Sequence, residues 1–122
     1  MNRTFTFIFS AFSFGIEAQS LQLTPSEFLQ RASNQGVIVI DIRTEPEFNT
    51  GHLENAINID FLKPDFVMNV RRFDLNTEIL IYCASGNRSS RAITQLKNAG
   101  FNNLLELAGG ISTLKRKGFY SE

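Results

Sequence analysis

Two rhythms of apolar and polar positions run along this chain. Val37-Ile-Val-Ile40 and Ile79-Leu-Ile-Tyr82 are continuous apolar runs rich in β-branched residues, and they predict strands buried on both faces. Shorter runs predict further strands at Leu21–Leu23, Ala56–Ile59 and Asn103–Leu107. Between them the apolar period lengthens to that of a helix. Thr24-Pro-Ser-Glu27 opens one, with Thr24 as N-cap, Pro25 at the first position and Glu27 closing a capping box. Its apolar face is Phe28, Leu29 and Ala32, and Gly36 ends it. A short helix is expected through Pro46, Glu47 and Phe48, ahead of a turn at Gly51-His52. Another is expected over Lys63–Arg72, with Phe66, Val67 and Val70 inward. Ala92, Ile93, Leu96 and Ala99 mark a fourth, stopped by Gly100. Gly109-Gly110 introduces a last helix carrying Ile111 and Leu114 before Gly118. Strands alternating with helices imply an α/β fold with a central, mostly parallel sheet of about five strands and helices on both faces.

Residues 1–20 break that rhythm. A positive start (the amine and Arg3) precedes an uncharged, Phe-rich run from Thr4 to Ile16. Ala18 and Ser20 then supply a small-residue cleavage pattern, and the apolar run is short for a membrane span. The expectation is a signal peptide over residues 1–20, cut after Ala18 or Ser20, and one domain over residues 21–122. The mature protein would then be periplasmic or secreted, with no membrane attachment; without cleavage it would be cytoplasmic. The competing reading is an extra N-terminal strand, from the alternation of Phe5, Phe7 and Phe9.

Composition narrows the function classes. A chain of 122 residues fits one domain, and its net charge of zero argues against a general nucleic-acid binder. Charge is unevenly spread: Leu21–Tyr82 holds nine acidic and five basic side chains, whereas Cys83 onward holds two and six. That bias favours anionic substrates if folding preserves it. One cysteine excludes an internal disulfide and a cysteine-rich zinc site.

The single cysteine is also where chemistry concentrates. Cys83 ends the predicted strand Ile79–Tyr82, and Ala84, Ser85, Gly86, Asn87 and Arg88 lead into the next helix. A strand-to-helix turn containing glycine can curl its backbone N–H groups inward as an anion nest, and the helix adds the positive end of its dipole. A thiol at its mouth is favoured as thiolate and becomes a nucleophile. Arg88 and, one helical turn on, Arg91 add positive charge; Arg91 either attracts an incoming anion or is simply solvated. The structural alternative is that Cys83 is a small buried hydrophobe closing a strand.

At this point the chain resembles a single-domain rhodanese, a sulfurtransferase. The likeness rests on Val39-Ile-Asp-Ile-Arg-Thr-Glu-Pro-Glu-Phe48 with Gly51-His-Leu-Glu-Asn-Ala-Ile-Asn58, on Cys83-Ala-Ser-Gly-Asn-Arg-Ser89, and on Leu107-Ala-Gly-Gly-Ile111, in that order. It implies the rhodanese-like three-layer fold and a catalytic Cys83 that takes a sulfane sulfur from thiosulfate or a similar donor. The loop positions Ala84 to Arg88 would hold the persulfide, and cyanide or a thiol, a protein thiol included, would remove it. No metal, no cofactor and no nucleic-acid partner are expected, and the protein is expected to be a monomer. In the family the Gly-His pair, here Gly51-His52, is a structural corner, and Asp41 and Arg43 brace loops. One departure is Leu114, where the family often has tryptophan.

Two other functions stay open. A phosphatase or arsenate reductase of the same fold has five residues between cysteine and arginine; this chain has four, and Ser89 stands where the longer loop would place its arginine. The smaller cradle suits a single sulfur better than a phosphoryl group. A persulfide carrier or interaction module needs the same thiolate as a freely turning enzyme, so the loop alone does not separate them.

Overall fold

The computed structural model describes residues 19–119. The strands are β1 (Gln19–Leu23), β2 (Ile38–Asp41), β3 (Ile57–Asn58), β4 (Ile79–Tyr82) and β5 (Asn103–Leu107). The helices are α1 (Pro25–Ala32), α2 (Glu45–Asn49), α3 (Phe66–Val70), α4 (Asn87–Asn98) and α5 (Gly110–Arg116). One five-stranded sheet runs in the order β1-β5-β4-β2-β3 with every pairing parallel. Each strand returns to the sheet through a helical crossover, which is what parallel pairing requires.

Strand alternation builds the layers. Ile79 and Ile81 of β4, Ile40 of β2 and Leu104 of β5 pack with Phe66 and Val70 of α3 and Ala92, Ile93 and Leu96 of α4. Leu80, Tyr82, Val39, Leu105 and Leu107 turn the other way, onto Phe28 of α1 and Ile111 and Leu114 of α5. The sheet is thus covered on both faces, as the continuous apolar runs of β2 and β4 predict. Leu114, which replaces an expected tryptophan, is fully buried in the second core.

Local chemistry starts the helices where the pattern places them. Thr24 accepts the Glu27 N–H at 3.2 Å while Glu27 accepts the Thr24 N–H at 2.9 Å, closing the capping box of α1. A second box, not expected from the pattern, starts α2: Thr44 N–H donates to Glu47 Oε1 at 2.9 Å, and Glu47 N–H to Thr44 Oγ1 at 3.4 Å.

Three expected elements are shorter than their patterns. The helix expected over Lys63–Arg72 is confined to Phe66–Val70. Pro64 disfavours helical backbone in the residue before it, and Asp65 makes no side-chain cap. β3 pairs over only two residues, though Ile59 and Phe61 continue to donate to the carbonyls of Asp41 and Ile42. β2 starts at Ile38, whose N–H already donates to the Glu78 carbonyl, so Val37 lies outside the strand. The leader expected over residues 1–20 lies outside the described residues up to position 18. Gln19 and Ser20 belong to β1, in register with Asn103 and Leu104.

Phe28 is fully buried and meets the Tyr82 ring edge-on, with centroids 6.3 Å apart. Phe28→Ala is expected to cost about 3–5 kcal/mol of stability, read by urea denaturation, because it opens a cavity between α1 and β4.

Candidate active site

Cys83 follows β4 at the carboxyl edge of the sheet, where ligands bind in folds of this kind. Its Sγ receives the Gly86 N–H at 3.1 Å and the Ser89 N–H at 3.4 Å, with the Ser89 hydroxyl 3.6 Å away. Ser89 lies in the first turn of α4, where N–H groups have no partner within the helix. Gly86 makes the curl possible, with φ of +104° at the N-cap. Ala84 and Gly86 are partly buried, Ser85 and Asn87 are exposed, and Cys83 itself is 1% exposed. Of the expected loop positions Ala84 to Arg88, Gly86 donates to the sulfur, and Ser89, one residue beyond them, supplies the second N–H.

The loop is held from behind by α5. Ile111 N–H donates to the Cys83 carbonyl at 2.9 Å and Ser112 N–H to the Ala84 carbonyl at 3.0 Å. The approach is so close that a Cβ at Gly110 would fall 2.4 Å from the Ala84 oxygen. Leu107-Ala-Gly-Gly-Ile111 therefore reads in space as a buttress for the cysteine loop.

The cations are differently disposed from what the loop alone implies. Arg88 forms a bidentate pair with Glu47 of α2, at 2.7 and 2.9 Å, so its guanidinium is anchored to a carboxylate. That pairing, opposed by burial, holds the Arg88 value raised, and the nearby Cys83 adds to it. Arg91 is exposed on α4, with its guanidinium 5.1 Å from the centre of the Phe61 ring. Neither side chain donates to the sulfur in this structure.

A family model of the rhodanese-like domain matches residues 24–117. The chain belongs to the rhodanese-like family. It is 34% identical over 87 residues to the thiosulfate sulfurtransferase GlpE of Pseudomonas fluorescens, covering 70% of this chain and 77% of that protein. It is also 34% identical over 93 residues to a tRNA uridine(34) hydroxylase of Aster yellows witches'-broom phytoplasma, covering 73% of this chain and 30% of that protein. The chain thus spans about a third of the length of the hydroxylases it matches. A rhodanese-related protein from Thermoplasma volcanium shares the fold, with a TM-score of 0.69 at 24% identity over 80% of this chain and 92% of that one.

Asp41, Arg43 and His52, with Tyr82 and Asn58, brace the loops of this rhodanese-like domain. Asp41 and Arg43 form a buried pair, with Arg43 Nη2 at 2.7 Å from Asp41 Oδ2 and 2.7 Å from the Gly51 carbonyl. Burial would lower the Arg43 value, but the hydrogen bonds and charge of Asp41 outweigh it and hold it raised. Tyr82 accepts the Leu53 N–H at 3.0 Å, and burial, then the charge of Asp41, push its phenol up. Asn58 donates to the carbonyls of Asp41 and Arg43 at 3.0 and 2.8 Å. His52 stacks on Phe48 with centroids 3.6 Å apart, and its Nδ1 lies 2.9 Å from the Phe48 carbonyl.

Two residues of the site were not singled out by sequence reasoning. Glu47 was read only as part of a short helix; its signal was the Thr-x-x-Glu spacing from Thr44. Glu106 was read only as part of a strand; its signal was one acidic residue inside Leu104-Leu-Glu-Leu107. It accepts the Ser89 hydroxyl at 2.6 Å.

Two outcomes follow from the geometry. Gly110→Ala would drive a side chain into the backbone of the cysteine loop, and it is expected to cost about 1–3 kcal/mol of stability, read by urea denaturation. The second outcome concerns acid. Arg88, working against burial, lowers the Glu47 carboxyl from 4.5 to about 2. The folded value lies below the unfolded one, so the pair stabilises the fold above pH 4.5, and that contribution is lost as pH falls toward 2. With Glu47 36% exposed, solvent screening leaves it on the order of 1 kcal/mol. The stability gap between wild type and Glu47→Gln should be full near neutrality and close in acid, measured by denaturant titration across that window.

Proposed function

We propose that the domain is a sulfurtransferase that carries a sulfane sulfur on Cys83. The observation that supports this most is the pair of backbone N–H groups, from Gly86 and Ser89, aimed at one thiol sulfur. In the first step the Cys83 thiolate attacks the outer sulfur of a small anionic donor such as thiosulfate. A Cys83 S–S bond forms as the donor's own S–S bond breaks, and sulfite leaves with the electron pair. In the second step cyanide or a thiol attacks the outer sulfur, and Cys83 departs as thiolate, leaving thiocyanate or a new persulfide. Charge on either sulfur would be stabilised by these donors and by the remaining first-turn N–H groups of α4, at Asn87 and Arg88.

The resemblance to a thiosulfate sulfurtransferase over most of its length favours this reading over phosphoryl chemistry. So do the four-residue spacing from Cys83 to Arg88 and the commitment of Arg88 to Glu47. Arg91 at the rim would serve to attract the donor. The second reading is a persulfide carrier, loaded by a partner protein and needing the same cradle around Cys83. The match to a third of the hydroxylases is in keeping with a domain that works as a module. We further propose export; cleavage after Ala18 would leave all of β1 intact.

Purified protein given thiosulfate and cyanide should form thiocyanate, and Cys83→Ser should reduce it to background. If wild type turns over no sulfane donor and mass spectrometry finds no added sulfur on Cys83, the sulfurtransferase reading is wrong. Stoichiometric persulfide with slow thiocyanate release would select the carrier.

A further inference from the structure

β5 carries a carboxylate among apolar neighbours. Glu106 is 6% exposed and in register with Ile81 of β4. Alternation turns it to the α4 face, where Oε2 accepts the Ser89 hydroxyl at 2.6 Å and the Ser90 hydroxyl at 3.2 Å. Ser89 Oγ also lies 3.2 Å from the Gly86 carbonyl and 3.6 Å from Cys83 Sγ. A hydroxyl has one proton to give. The carboxylate is both the nearer and the stronger acceptor, so the Ser89 proton points to Glu106 and an Oγ lone pair faces the thiol.

We propose that Glu106 draws the Cys83 proton through the Ser89 hydroxyl, so that the thiolate forms without an external base. The S–H bond breaks as an O–H bond forms on Ser89 Oγ, and the original Ser89 O–H bond breaks as one forms on Glu106 Oε2. The total charge does not change. The hydrogen bonds then run in reverse: Glu106 donates to Ser89, and Ser89 donates to the sulfur beside the two backbone N–H groups. The Ser90 hydroxyl, 3.0 Å from the Gly86 carbonyl, has an acceptor for either proton position.

The charged surroundings make this transfer useful. From α4, Arg88 interacts with Cys83, but Glu47 of α2 holds its guanidinium and Asp60, after β3, also bears on it. Arg91 is turned over Phe61, and α5 meets the loop with the backbone N–H groups of Ile111 and Ser112. A thiolate beside an ionised Glu106 would put two negative charges in one buried site, and moving the proton between them avoids that cost. Glu106 acts through Ser89 and is therefore a positioning residue.

The inference rests on Cys83 as nucleophile, and its test needs no sulfur donor, so a failure of sulfur transfer would not be confused with a failure of the relay. Alkylation of Cys83 by iodoacetamide is followed against pH in the full chain. Glu106→Gln keeps the size and polarity but takes no proton. It should slow alkylation about 100-fold at mildly acidic pH. The gap should close toward alkaline pH, where the thiol loses its proton directly to solvent. Ser89→Ala removes the path while Ser90 still partners the carboxylate, and it should show the same closing gap; it decides the matter if thermal denaturation finds Glu106→Gln unfolded. An unchanged rate, or a slowing equal at every pH as a structural role would give, overturns the proposal. Faster alkylation in Glu106→Gln, the behaviour of a merely repelling charge, overturns it too.

Discussion

A peptide unit points its N–H and its C=O in opposite directions, so a loop that turns its N–H groups inward must find donors for the carbonyls it turns outward. Here the N–H groups of Ile111 and Ser112 donate to the Cys83 and Ala84 carbonyls. The first-turn donors of two helices are thus divided between two duties: α4 supplies the sulfur, and α5 satisfies the back of the loop. Gly110 is the point of closest approach, and a side chain there would collide with the loop backbone. The nest around Cys83 is a tertiary property of the β4–α4 and β5–α5 junctions together, and neither junction makes it alone.

Fixed dipoles rather than free cations therefore set the field at the sulfur. Arg88 is tied to Glu47, Arg43 to Asp41, and Arg91 leans on Phe61. Backbone donors need no reorganisation as charge moves from one sulfur to another, which suits a reaction whose charge stays within one small cradle. The paired side chains instead join the carboxyl-edge loops to one another: Arg43 reaches Gly51, Asn58 reaches residues 41 and 43, and Arg88 links α4 to α2.

Much of the fold was legible in the chain because its signals are local. The apolar runs of β2 and β4, the Thr24–Glu27 box and the Gly100 stop each act within a few residues, and Cys83 with its glycine turn is one contiguous segment. What was not legible depends on distant partners. Arg88 looks like an anion ligand until Glu47, 41 positions away, is placed beside it. Glu106 looks like an oddity of a strand until α4 brings Ser89 over it. The overlong expectation for α3 has a different origin: its start was set at Lys63, directly before Pro64, where backbone sterics disfavour a helix.

The depth of the cysteine carries a further consequence. With Cys83 1% exposed, the bare thiol offers little for a large partner to grasp. A sulfane sulfur added as proposed would lengthen the side chain by about 2 Å. The loaded and empty proteins would then differ in outline as well as in reactivity. An acceptor shaped to grip the outer atom would find a handle on the loaded protein and none on the empty one, so its dwell time would end with delivery.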